Sequence, residues 1–295
     1  MSQEWTTRPE RSNVWAIRLM AWIALTFGRK VTRFLLYPIS LYFFLFSIRA
    51  RAASHKYLDR VLGRRAIPAD GFRHCFYFAA TILDRVYLLN DQIPLFDLRS
   101  YGEEIFEDIK ARGRGCLLLG AHMGSFEVIH TLSRIHRHPR TSMVMYEENA
   151  RMISSVLSAI NPENNPPVIP LGKVTSMLMI REALQRGEFV GVLADRAISG
   201  TRMVTCDFLG GQIDLPATPF RLAMMLDCPV VLMLGLYEGG NRYNVHFEYL
   251  IKPEQKSVAD REQSIHEMAQ HFASRLEHYC RSAPYNWFNF YDIWK

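Results

Sequence analysis

The sequence predicts an α/β fold in which a mixed sheet is flanked by helices. Short apolar runs at residues 116–119 and 189–193 are typical of buried strands, and segments with helical spacing lie between them. A glycine-rich turn at residues 239–241 joins two more strand-like runs, which indicates an antiparallel hairpin. Buried strands that alternate with helices favour a largely parallel sheet, and the hairpin makes that sheet mixed.

Further elements follow from periodicity and turn residues. We expect strands at residues 141–146, 168–169, 229–237 and 242–252, and helices over 53–90, 100–111, 173–186 and 261–281, with another helix that starts at Thr218 and Pro219.

The 295 residues suffice for one large domain with an appendage. We divide the chain into an N-terminal membrane-associating helical region, residues 1–52, and a main domain, residues 53–295. Five cysteines are an odd number without a CxxC pair, which indicates reduced core residues in a protein that faces the cytosol. Residues 1–13 lack the features of a secretory signal, so we expect no export.

The N-terminal region is basic and apolar. Residues 1–65 contain twelve Lys or Arg and three Asp or Glu, a net charge of +9 in a chain whose total is +6. Its two apolar stretches, 14–27 and 34–48, each fall short of the ~20 uninterrupted apolar residues of a membrane span. We therefore expect interfacial helices, whose basic residues reach anionic lipid heads: Arg29, Lys30, Arg33, Arg49 and Arg51. A tilted span by the second stretch and a buried helical pair are the alternatives. Nucleic acid is not an expected partner, because no nucleic-acid motif accompanies the charge.

The chemically richest stretch is residues 120–127, Gly-Ala-His-Met-Gly-Ser-Phe-Glu. It follows an apolar run, and its spacing predicts a strand, a tight turn and a helix that Ser125 caps. His122 then lies at the carboxyl end of the strand, and Glu127 lies in the first turn of the helix. Open α/β sheets bind ligands at this edge, so both side chains are candidate site residues.

A neutral imidazole can take a proton from a hydroxyl if a carboxylate fixes its tautomer, which makes His122 a candidate general base oriented by Glu127. The chain has no GxSxG pattern, so the nucleophile would be the hydroxyl of a bound acceptor. Two alternatives stay open. One is a structural histidine with a Glu that complements the helix dipole. The other is a metal site formed by His122, Glu127 and His130, although HExxH spacing and cysteine ligands are lacking.

Asp195 and Arg196 come directly after the strand-like run 189–193, at the same predicted sheet edge as His122. Charged side chains that converge on one edge beside apolar strands are what a polar site next to an apolar channel requires. A structural ion pair or a turn is the alternative reading for these two residues.

These motifs resemble a known family. His122 to Glu127 resembles the H-x4-D/E motif of the glycerolipid acyltransferase superfamily, and its Glu form with the neighbouring glycines looks like the lipid A late acyltransferase branch. Residues 194–196 and the segment from Phe208 to Pro216 are similar to later blocks of that branch, as is the aromatic tail at 284–294. The similarity extends over about residues 110–295. The acids at 147–148 depart from the more basic family pattern.

The resemblance implies an acyltransferase-like fold and a membrane-attached O-acyltransferase at the cytoplasmic face of the inner membrane. It would transfer a fatty acyl chain from an acyl carrier protein or coenzyme A thioester to a hydroxyl of a lipid or glycolipid, with no other cofactor and no metal. His122 and Glu127 would be catalytic, and Asp195, Arg196 and Arg151 would bind substrate.

Two other functions stay open. One is a non-catalytic lipid-binding membrane protein of the same fold. The other is a lipid hydrolase that uses Ser125 as its nucleophile.

Overall fold

The structure is a computed structural model, and it describes residues 14–135, 139–163, 167–171, 174–196, 200–226, 228–251 and 261–294. Its helices are α1 (Val14–Phe46), α2 (Ile48–Leu62), α3 (Pro68–Leu89), α4 (Glu104–Ala111), α5 (Phe126–Ile135), α6 (Glu147–Ile160), α7 (Val174–Gln185), α8 (Ala217–Met225) and α9 (Arg261–Ser282). Its strands are β1 (Asp97–Tyr101), β2 (Leu117–Gly120), β3 (Thr141–Tyr146), β4 (Val168–Leu171), β5 (Phe189–Leu193), β6 (Met203–Phe208), β7 (Gly211–Pro216), β8 (Val230–Tyr237) and β9 (Arg242–Ile251).

Seven of these strands form one mixed sheet in the order β1-β9-β8-β2-β5-β3-β4. Strands β8, β2, β5, β3 and β4 are mutually parallel. Strand β9 is antiparallel to β8, and β1 pairs in parallel with β9, so these two strands run in the opposite direction. Strands β6 and β7 form a separate antiparallel hairpin. The predicted mixed α/β fold is therefore confirmed.

The central strands are buried on both faces of the sheet. Leu117 and Leu119 of β2 belong to a core that contains Phe220 of α8 and Leu276 of α9, whereas Leu118 belongs to a second core that contains Leu132 of α5. Successive side chains of a strand point to opposite faces, so helices cover both sides of the sheet. This arrangement leaves the strand ends as the place where polar side chains can gather.

Most predicted strands are confirmed, and β5 has the predicted bounds. The predicted helix at 100–111 is wrong in its first part, because Asp97–Tyr101 is strand β1 and the helix starts only at Glu104. The strand forms because it pairs along its whole length with β9, a contact between distant parts of the chain that local spacing does not encode. The β6–β7 hairpin was not predicted, and α8 starts at Ala217, one residue before Thr218.

Helix α1 contains both apolar stretches and is broken at Gly28, whose φ of 76° is non-helical. The break therefore falls between the two apolar stretches, 14–27 and 34–48. The prediction for Arg29 and Arg33 was wrong. Arg29 pairs with the fully buried Asp84 of α3 at 2.7 Å, and Arg33 donates to the hydroxyl of Tyr237. A buried carboxylate needs a charged partner, and Arg29 supplies it to Asp84. Both arginines thus contact protein groups instead of lipid.

Among the described residues, no single helix is sufficiently long and apolar to cross a membrane. Residues Arg18–Phe46 and Ile48–Leu62 pass the same length and composition test only as a pair, with a bend of 94° between them.

Candidate active site

His122 and Asp195 lie at the same level on neighbouring strands. Strand β2 ends at Gly120, β5 ends at Leu193, and these two residues are partners in the parallel register. His122 and Asp195 each follow their strand end by two positions, and the N–H of Ala194 donates to the Gly120 carbonyl at 2.9 Å. The predicted shared edge is thus confirmed for this pair.

Asp195 makes two contacts with His122. Its Oδ1 lies 2.8 Å from Nδ1 of the His122 ring, and its Oδ2 accepts the His122 backbone N–H at 2.9 Å. Asp195 is buried, whereas 32% of the His122 side chain is exposed. One nitrogen of the ring is therefore bound to a buried carboxylate while the ring itself reaches solvent.

The charge states of the pair follow from their surroundings. Burial raises the pKa of Asp195, but His122 and Arg196 lower it more strongly, to about 2. Burial lowers the pKa of His122, Arg196 lowers it further, and Asp195 opposes both without reversing the shift. At neutral pH the carboxylate is ionised and the imidazole is neutral. An ionised carboxylate only accepts, so Nδ1 carries the proton and Nε2 is free to take another.

Glu127 does not fill the role that the sequence predicted for it. Among the described contacts, its Oε1 lies 2.7 Å from Nε of Arg85 on α3, and its Oε2 accepts the Ser125 hydroxyl at 3.1 Å. The carboxylate on the His122 ring is Asp195 instead. The reason is geometric: Glu127 belongs to the first turn of α5, and that helix packs against α3.

The turn that carries His122 needs glycine at position 124. Gly124 has a φ of 69°, and a Cβ placed on it would come within 1.9 Å of the Gly235 carbonyl oxygen of β8. The Ser125 N–H donates to the same oxygen at 2.8 Å. This close approach fixes the turn against β8, which requires glycine at a left-handed position.

The segment at residues 286–290 closes the other side of the site, which the sequence did not predict. The indole N–H of Trp287 donates to Oδ2 of Asp195 at 3.1 Å, and the Phe288 N–H donates to the His122 carbonyl at 2.8 Å. Arg196 donates from Nη2 to the Phe288 carbonyl at 2.7 Å. The aromatic run at 286–291 was visible in the sequence, but no local pattern connects it to Asp195.

The remaining candidates are placed as follows. Arg151 lies on α6, and its side chain is outside the described residues. Ser125 is buried and donates its hydroxyl to Glu127, which does not suit a nucleophile that needs His122 as its base. Within the described part of the chain, no three His, Cys, Asp or Glu residues are grouped so that they could hold a metal ion.

The fold and the strand-edge His–Asp pair agree with an acyl-transfer enzyme. The family model described as bacterial lipid A biosynthesis acyltransferase matches residues 3–295, essentially the whole chain. The chain therefore belongs to the bacterial lipid A biosynthesis acyltransferase family, and it is an O-acyltransferase that acts on a lipid acceptor. A search of curated proteins found no match.

Proposed function

We propose that the enzyme transfers a fatty acyl chain from a thioester carrier, acyl carrier protein or coenzyme A, to a hydroxyl of a lipid or glycolipid, with His122 as the general base. The observation that carries the proposal is the Asp195–His122 contact, with an ionised carboxylate on Nδ1 and a neutral imidazole whose Nε2 can take a proton. A base in this state works near neutral pH.

The proposed reaction balances without any other group. Nε2 of His122 takes the acceptor hydroxyl proton as the oxygen attacks the thioester carbonyl, and Asp195 stabilises the imidazolium that forms. Collapse of the tetrahedral intermediate breaks the carbon–sulfur bond. The departing thiolate then takes the proton from Nε2, which restores neutral His122. The products are the acylated lipid and the free thiol of the carrier.

Arg196 and Arg151 are the candidate anion-binding residues in this proposal. Arg196 lies close enough to lower the pKa of His122, and its Nη2 is held by the Phe288 carbonyl. A guanidinium held in this way can donate hydrogen bonds to a phosphate of the acceptor lipid or of the thioester carrier. We assign Glu127 a positioning role, since its contacts hold the start of α5 to α3.

Large apolar side chains support contact with a membrane. Helix α1 leaves a group of aromatic side chains more than half exposed: Trp22, Phe27, Phe34, Tyr37, Tyr42, Phe43 and Phe46. An exposed apolar face of this size marks a membrane or protein contact, and the exposed Arg18 and Lys30 of the same helix favour an anionic bilayer. We therefore propose attachment to the cytoplasmic face of the inner membrane through α1.

The attachment is tested by Phe34→Ser combined with Phe46→Ser, which leaves the Arg29–Asp84 pair intact. Sedimentation with membranes should fall, whereas the matched pair Leu178→Ser and Met225→Ser, on exposed positions of α7 and α8, should sediment like the wild type. Equal sedimentation of both double variants would contradict attachment through α1.

The catalytic proposal is tested with purified enzyme, underacylated lipid A as the acceptor probe, and acyl thioesters of both carriers in separate assays. Loss of the general base in His122→Ala should lower the rate by ~10²–10⁴-fold. Ser125→Ala is the control, and it should retain most of the wild-type rate. A His122→Ala rate above about a tenth of the wild-type rate, well short of that loss, would refute the role of His122.

A further inference from the structure

Trp287 occupies an unusual position relative to the catalytic pair. Oδ2 of Asp195 accepts two hydrogen bonds, from the His122 backbone N–H and from the indole N–H of Trp287, while Oδ1 faces the His122 ring. Rotation about the Cβ–Cγ bond of an aspartate is soft, with broad torsional preferences. Two donors on one oxygen restrict that rotation and keep the other oxygen directed at Nδ1.

Trp287 is itself held firmly. It is fully buried, and its ring packs edge-on against Tyr57 of α2 and Phe208 of β6, each with a centroid distance of 5.1 Å. The indole is thus clamped between the helical N-terminal part of the chain and the β6–β7 hairpin, so its N–H has little freedom to leave Asp195.

The backbone of Trp287 is anchored by a second buried histidine. Nε2 of His74, on α3, lies 2.9 Å from the Trp287 carbonyl, and Nδ1 of His74 lies 2.8 Å from the Ser54 hydroxyl. Burial lowers the pKa of His74 to about 4, so the ring is neutral at neutral pH. The neutral ring donates from Nε2 to the carbonyl and accepts from Ser54 at Nδ1.

Main-chain hydrogen bonds join the same segment to the His122 turn. Met123 and Trp287 form an antiparallel bridge, and the Gly124 N–H donates to the Asn286 carbonyl at 2.9 Å. The side chain of Asn286 in turn pairs with the N–H and the carbonyl of Tyr237 at the end of β8. Trp287 is therefore positioned by the same framework that positions His122.

We propose that Trp287 is a positioning residue for the acyl-transfer reaction, which holds the Asp195 carboxylate in the orientation that keeps His122 in its Nδ1–H tautomer. The inference rests on the proposed function, because it acts through Asp195. Trp287 touches neither the acceptor nor the donor in this account. Its loss should slow the chemical step and leave substrate binding unchanged.

The test is Trp287→Phe, which keeps an aromatic ring and removes the N–H. Because the lost hydrogen bond is to a charged group, we expect kcat to fall by about tenfold to a hundredfold. KM for underacylated lipid A should stay within about twofold, because an interaction used only in the transition state changes kcat alone. Trp294→Phe is the matched control, since its indole donates to the Phe208 carbonyl and not to the catalytic pair.

A double-mutant cycle separates positioning from a general structural role. With Asp195→Asn in the background, Trp287→Phe should cause little further loss of kcat, because the carboxylate that Trp287 positions has already been replaced by an amide that cannot stabilise the imidazolium. If Trp287 had only a general structural role, the fold-decreases in kcat caused by the two single substitutions would multiply in the double variant. If Trp287→Phe lowers the melting temperature, 3-benzothienylalanine at position 287 replaces the N–H by sulfur in a ring of the same size and isolates the hydrogen bond.

The outcomes distinguish this inference from the proposed function. If Asp195→Asn keeps the wild-type rate, the proposed His–Asp mechanism fails. If Asp195→Asn is inactive while Trp287→Phe and the benzothienyl form keep the wild-type kcat, only the positioning role of Trp287 fails. Multiplicative losses in the cycle would also overturn it.

Discussion

Two buried carboxylates, Asp195 and Glu127, lie near the catalytic turn, and they have different hydrogen-bond and ion-pair partners. Asp195 follows β5 and accepts three N–H donors, one of which is Nδ1 of the His122 ring. Glu127 starts α5 and is paired with Arg85, 42 positions earlier in the chain. The difference teaches that proximity in sequence to His122 does not select its partner. The neighbouring strand in the sheet does.

The largest effect should come from Asp195→Asn. The amide keeps the shape but can present N–H₂ to the ring, which favours the wrong tautomer, and the equivalent change in a serine protease triad costs about 10⁴-fold in kcat. We expect a loss of about 10³–10⁴-fold with a melting curve close to that of the wild type. A steady-state assay with a parallel melt measures both, and a loss that came entirely from unfolding would contradict the role of Asp195.

Glu127→Gln should change stability more than rate. It leaves the Arg85 guanidinium, whose side chain is only 20% exposed, without its charged partner, and we expect a loss of about 1–3 kcal/mol in the free energy of unfolding. The rate of the folded enzyme should stay within about tenfold of the wild type, since the general base is untouched. Denaturant unfolding and an assay below the transition measure the two quantities.

Adding Arg85→Gln to Glu127→Gln removes the unpaired charge and should restore part of that stability. If the folded Glu127→Gln enzyme were as slow as Asp195→Asn, Glu127 would belong to the catalytic machinery. The assignment of a structural role to Glu127 would then be wrong.

Arg196→Gln should weaken substrate binding if Arg196 holds a phosphate, and its smallest effect should be a shift in the pH at which activity is lost. Activity falls with decreasing pH as His122 takes up a proton, so the acidic limb of kcat/KM follows the His122 pKa, which lies below its ordinary value near 6.5. Arg196 lowers that pKa, so its removal should move the limb to higher pH. Arg202→Gln, which loses only an exposed pair with Glu262, is the control and should leave the limb in place. A shift to lower pH would contradict the assigned charge interaction.

Much of this comparison could be predicted from the sequence. Apolar runs that end in charged residues placed His122 and Asp195 at one edge, because parallel neighbouring strands end together. The Gly120–Leu193 register later confirmed that inference. Which of two carboxylates contacts the ring could not be predicted, because it depends on the order of strands in the sheet and on the partner that α3 supplies to Glu127. The spacing of an H-x4-E motif encodes neither of these.

The contact between Trp287 and Asp195 could not be predicted from the sequence either. The aromatic tail was visible as composition, but its contact with Asp195 joins positions 92 residues apart and needs the hairpin and α2 in place. The prediction that Arg29 and Arg33 contact lipid was wrong for a related reason. Local charge beside an apolar stretch predicts lipid contact, whereas buried Asp84 and Tyr237 supply partners that only the folded chain brings near.

The central claim is that Asp195, and not Glu127, holds the His122 ring, and the His122 pKa tests it most directly. Histidine ring signals are followed by NMR through a pH titration, with the His122 signal assigned by its absence in His122→Ala. Asp195 raises the His122 pKa against burial and Arg196, so Asp195→Asn should lower that pKa further, and Glu127→Gln should leave it unchanged. A lower pKa in Glu127→Gln together with an unchanged pKa in Asp195→Asn would contradict the account.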